Sequence, residues 1–153
     1  MMKTIIGALC LGTVLIMSAP IANASETANR LIDQARQQCS TLNGGELGFQ
    51  PGTIRLIDLN GDGVDDEIID ESTYTCTSSQ TLFCGTGGCG LKVIVGDRIL
   101  ERLAKQWQTL DWDGDRILLL QLHGAECGGS GLERCYEAIS WGDGDFRTVR
   151  PPR

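Results

Sequence analysis

Seven cysteines in a chain of 153 residues constrain its fold more than any other feature. One of them, Cys10, lies inside an apolar stretch that reads as an export signal. Met1-Met2-Lys3 is a short positive start, residues 5–17 are apolar, and Ala22-Asn23-Ala24 is an A-x-A cleavage pattern. Residues 1–24 are therefore expected to be a cleaved signal peptide, with Ser25 as the new first residue. The apolar run is too short to span a bilayer, and Cys10 lacks the small-residue run that lipidation requires. An exported chain meets the oxidising bacterial periplasm or the extracellular medium. The remaining Cys39, Cys76, Cys84, Cys89, Cys127 and Cys135 are then expected to form three disulfides.

Six cysteines can pair in many ways, and spacing narrows them. Cys84-Gly-Thr-Gly-Gly-Cys89 is a glycine loop whose ends meet easily, and the segment from Cys127 to Cys135 closes in the same manner. Elimination then pairs Cys39 with Cys76. A zinc site at Cys84 and Cys89 is the competing reading, but exported thiols seldom stay reduced and no second knuckle of matching spacing exists.

The rest of the chain reads as one domain, 25–153, divided into a helix (25–43), a β-rich body (44–149) and a tail (150–153). Ala28, Leu31, Ile32, Ala35, Cys39 and Leu42 form one helical stripe, and Asn43-Gly44-Gly45 ends it. Short β segments follow, broken by Gly-Asp pairs. Segment 72–90, rich in Ser, Thr, Cys and Gly, is expected to be irregular. Residues 117–120 are apolar on both faces and predict a central strand. The expected fold class is α+β and β-rich: one N-terminal helix packed on an antiparallel, curled sheet of about seven to nine strands, stapled by disulfides.

Charge excludes some partners. Thirteen basic residues stand against 20 acidic ones, for a net charge of −7. Such a surface repels phosphate backbones and anionic lipid, so neither nucleic acid nor membrane is expected as a partner. A monomer is expected.

One motif carries chemistry. Asp58, Asn60 and Asp62 fall at positions 1, 3 and 5 of a loop, Gly63 at 6, Val64 at 7 and Asp66 at 9. Calcium takes six to eight oxygens, and alternate side chains of a tightly wound loop can converge on it, joined by the Val64 carbonyl. Asp58, Asp62, Asp65 and Asp66 crowd together, so a cation would relieve their repulsion. The stretch DLNGDGVDDEII resembles the calcium loop of FG-GAP repeats from integrin-type propellers. That resemblance implies calcium held by Asp58, Asn60, Asp62, Val64 and Asp66. It covers about a dozen residues in a single copy, and a propeller needs several blades, so it implies no propeller here. An EF-hand would need an acid at position 12, where Ile69 stands. Together with the later Cys-Gly-Thr-Gly-Gly-Cys, the loop also looks like small exported bacterial proteins. The acids of Asp111-Trp-Asp113-Gly-Asp115, and Asp143 with Asp145, read as hairpin turns.

Catalytic sets are sparse. His123 is the only histidine, and Ser130 beside it lies in no nucleophile elbow. Glu67, Glu71, Glu126, Glu133 and Glu137 are all candidate acids, and none is singled out. Trp107, Trp112 and Trp141 read as caps on the core rather than a sugar platform. The expected function is an exported, non-enzymatic, calcium-stabilised binding module whose partner is a protein or a glycan. The alternatives are a hydrolase using acidic residues or His123, and a calcium loop that serves only the fold.

Overall fold

The structure is a computed structural model that describes residues 24–149. The expected signal peptide up to Asn23, with Cys10, and the tail 150–153 lie outside the described residues.

Helix α1 (Glu26–Thr41) starts where Ser25 caps it, its hydroxyl accepting from the Ala28 N–H at 3.0 Å. Ala28, Leu31, Ile32, Ala35 and Cys39 are its buried face. It ends as the pattern predicts, with Asn43 and Gly44 both at positive φ. Among the described residues the chain then makes eleven strands, all paired antiparallel. β1 (Leu47–Phe49) and β4 (Tyr74–Cys76) form a two-stranded ribbon. A first sheet holds β2 (Ile54–Ile57), β3 (Asp66–Asp70) and β6 (Gly88–Val95) in that order. β5 (Cys84–Gly85) and β7 (Arg98–Ala104) also pair with β6. A second sheet runs β8 (Gln106–Trp112), β9 (Asp115–Leu122), β10 (Cys135–Gly142) and β11 (Asp145–Val149), each beside the next.

Alternation along the strands sorts these elements into three layers. Ile69 and Ile94 of the first sheet pack on the α1 side with Leu31, Ala35, Tyr74 and Phe83. Ile68, Leu91, Val93 and Val95 point the other way, onto Leu118, Leu120, Leu122 and Ile139 of the second sheet. The first sheet is thus buried on both faces, which is why β3 shows almost no exposed residue. Glu137 sits fully buried inside this second core, where Arg102 of β7 meets it through Nε at 2.8 Å and a terminal nitrogen at 3.3 Å.

The expected β-rich α+β class holds, with two differences of detail. The curled sheet resolves into two packed sheets and a ribbon, because only Lys105 separates β7 from β8 and the chain changes sheets there. The strand count exceeds the expectation because β1, β4 and β5 are two or three residues long. Two of these, β4 and β5, lie in the segment expected to be irregular. All three disulfides pair as the spacing predicts: Cys39–Cys76, Cys84–Cys89 and Cys127–Cys135. The bond between Cys84 and Cys89, which stand opposite each other in register, takes up both thiols and removes the zinc alternative. The disulfides agree with an exported, oxidising location, and no described helix is long and apolar enough to cross a membrane.

Candidate functional site

β2 delivers the chain to Asp58 at the rim of the first sheet, and β3 resumes at Asp66. The loop between them is wound by its own side chains. Asp58 Oδ1 accepts from the Gly61 N–H at 2.7 Å and Oδ2 from the Gly63 N–H at 2.9 Å. Asn60 Oδ1 accepts from the Asp62 N–H at 2.8 Å, and Asp62 Oδ1 from the Val64 N–H at 2.7 Å. Asp66 Oδ2 reaches back to the Leu59 N–H at 2.9 Å. Gly61 and Gly63, at φ of 78° and 82°, supply the left-handed residues this winding needs.

Each of these oxygens accepts one N–H and keeps further acceptor capacity. The donor set is all oxygen, which suits a hard cation. The Gly63 N–H, helped by that of Gly61 against some burial, holds the Asp58 carboxyl below its ordinary range. Burial pushes Asp66 up, opposed by the Leu59 N–H, and the nearby Asp62 and Asp58 charges push it further. Among the described residues no three Asp, Glu, Cys or His side chains are gathered as a ready-made ion cage. Ligation by Asp58, Asn60, Asp62, Val64 and Asp66 together therefore needs the loop to tighten. A cavity of about 220 Å³ separates Asp58–Gly61 from Asp111, Asp115 and Trp141. Arg116 answers Asp111 at 2.6 Å. Asp113-Gly114 and Asp143-Gly144 are hairpin turns with positive φ at both residues, as expected.

Upstream of the loop, a cleft of about 540 Å³ opens between β2 and β8. Arg55 crosses it, with its guanidinium 5.2 Å from the centre of the Trp107 ring. Trp107 Nε1 donates to Asp70 Oδ2 at 2.8 Å. Sequence reasoning did not single out this cleft, because its walls come from strands remote in the chain.

The other candidates are dispersed. His123 follows β9, and its Nδ1 accepts from the Ala125 N–H at 3.3 Å. It shares a cavity of about 240 Å³ with Glu101, Arg102 and Glu126. The Ser130 N–H bonds Glu133. Glu67 accepts from the Ser25 N–H, Glu71 pairs with Lys92, and Glu137 belongs to the core. Trp107 and Trp141 pack against the core as expected, but Trp112 is largely exposed at a hairpin end.

No protein-family model, curated protein or solved structure matches the chain. The functional reading therefore rests on these residues.

Proposed function

We propose that this chain is an exported, non-enzymatic module that acts by binding a protein or a glycan in the bacterial periplasm or outside the cell, its β2–β3 loop steadied by calcium. The observation that carries the reading is the clamp of Asp58 on the Gly61 and Gly63 N–H groups. It winds the loop so that oxygens at positions 1, 3 and 5 stand on consecutive turns of chain. Calcium, when bound, would supply the positive charge that the crowded Asp58, Asp62 and Asp66 lack. Asn60 and the Val64 carbonyl complete the oxygen set. Because the loop leaves directly from Ile57, steadying it also fixes the end of β2 that borders the cleft. With no bidentate acid at position 12, the expected dissociation constant is roughly 10⁻⁴–10⁻³ M.

Calcium titration by calorimetry, comparing the native chain with Asp58→Ala and Asp62→Ala, tests the loop. The native chain should release or absorb heat and gain about 1.4 kcal/mol of stability at ten times its dissociation constant. Both variants should lose the heat and the stabilisation. An unchanged native melting curve across millimolar calcium would remove calcium from the reading. The hydrolase alternative would act in the cavity His123 shares with Glu101 and Glu126, or at Asp58, Asp111 and Asp115 around the cavity beside the loop. Turnover of an ester or glycoside substrate that disappears in His123→Ala would replace the binding reading.

A further inference from the structure

The two sheets each end on a strand with one free edge, β2 and β8, and residues of both strands line the same cleft. The ladder fixes which groups β2 offers there. The Asp70 N–H donates to the Thr53 carbonyl at 2.9 Å, and Ile54 stands opposite Ile69. Bonded pairs alternate along an antiparallel ladder. Arg55 and Ile57 therefore use their backbone groups on β3, while Ile54 and Leu56 direct theirs outward. An extended chain laid along that edge meets an N–H and a C=O at every second residue.

The lining adds a local charge. Arg55 and Lys105 both enter the cleft, and among the described residues neither forms an ion pair with a carboxylate. Arg55 lies over Trp107, and Lys105 Nζ donates to the Gly131 carbonyl at 2.9 Å. Asp70 is the only acid on the lining, and it already accepts from Trp107 Nε1 and the Ser72 N–H. A chain of net charge −7 thus has a cationic seam between its sheets. Trp107 is held from two sides before any partner arrives, which lowers the ordering cost of binding.

We infer that this cleft takes an extended acidic peptide segment of a partner protein. The segment adds as a strand to the β2 edge and sets a carboxylate between Arg55 and Lys105. The inference rests on the binding-module reading and names its site and the chemistry of its ligand. A glycan is the weaker occupant, because Arg55 already covers a face of Trp107 and sugars make no ladder with Ile54 and Leu56.

The test titrates the calcium-loaded and calcium-free chain with a capped Val-Glu repeat peptide, a Val-Lys repeat and an oligogalacturonate, followed by amide NMR and Trp fluorescence. The Val-Glu peptide should shift the amides of residues 54–57 and 106–109 and slow hydrogen exchange at Ile54 and Leu56. Arg55→Glu should weaken it about tenfold or more. Leu56→Pro, which removes an outward N–H and no ladder bond, should abolish the protection. If Leu56→Pro fails to fold, the Arg55→Glu titration and native exchange at Ile54 carry the test. Unmoved Ile54 and Leu56 amides, equal binding of the Val-Lys repeat, or oligogalacturonate binding in the peptide's place would each overturn the inference. Calorimetric calcium heats on the same samples keep the two proposals apart. Lost calcium heat with intact peptide binding sinks only the loop, and the converse sinks only the cleft.

Discussion

Arg102→Met should destabilise the protein by about 3–5 kcal/mol, because it strands a charge in the core. Glu137 has no solvent exposure, lies opposite Leu120 on β9, and takes both of its Arg102 bonds across the gap between sheets. Arg102 keeps about a quarter of its side chain in solvent, so the pair is asymmetric: the carboxylate depends on the guanidinium far more than the reverse. The double variant Arg102→Met with Glu137→Leu removes the charge as well as its partner. It should recover most of the loss and can exceed the native stability by about 1–4 kcal/mol. Urea unfolding of the native chain, both single variants and the double variant, with equal slopes, yields the coupling directly. A single-variant loss below about 1 kcal/mol, or a double variant as unstable as Arg102→Met, would refute the argument that this pair matters chiefly by sparing a buried charge.

Other perturbations test separate parts of the fold. Replacing both Cys39 and Cys76 by Ala opens a sequence separation of 37 residues and should cost about 4 kcal/mol on the chain-entropy model. The corresponding change at Cys84 and Cys89, separated by 5, should cost about half as much, and denaturant midpoints of the two variants give the ratio. Burial, reinforced by the Glu71 charge and opposed by Arg36, raises the Tyr74 phenol above its ordinary 10.0. Because the folded value is the higher one, this contribution is complete below pH 10.0 and lost as pH rises beyond it. Stability should therefore fall on the alkaline side, and Tyr74→Phe should flatten that fall. Identical alkaline profiles for the two would remove Tyr74 from the account.

Local rules made much of the fold legible. The stripe from Ala28 to Cys39, the Ser25 cap and the Asn43-Gly44 exit are all contained within a few residues of chain. The Asp113-Gly114 and Asp143-Gly144 turns declare themselves by residue type. The disulfides followed from loop closure. What escaped was set by long-range geometry. No turn residue marks Lys105, so nothing local announces that β7 and β8 belong to different sheets. Glu137 looked like one candidate acid among several, because its partner Arg102 lies 35 residues away. The acidic loop was legible as a tightly wound stretch, but the N–H groups that Asp58, Asn60 and Asp62 accept from were not. The cleft beside it was not, since Arg55, Asp70 and Trp107 come from three different strands.

The placement of the sulfur bridges has a mechanical consequence. One fastens the helix to the ribbon, one lies within the first sheet, and one closes a loop at the margin of the second. None rivets one slab to the other. Heat or a pulling force can therefore part the slabs like a book along its Lys105 spine while every covalent bridge survives.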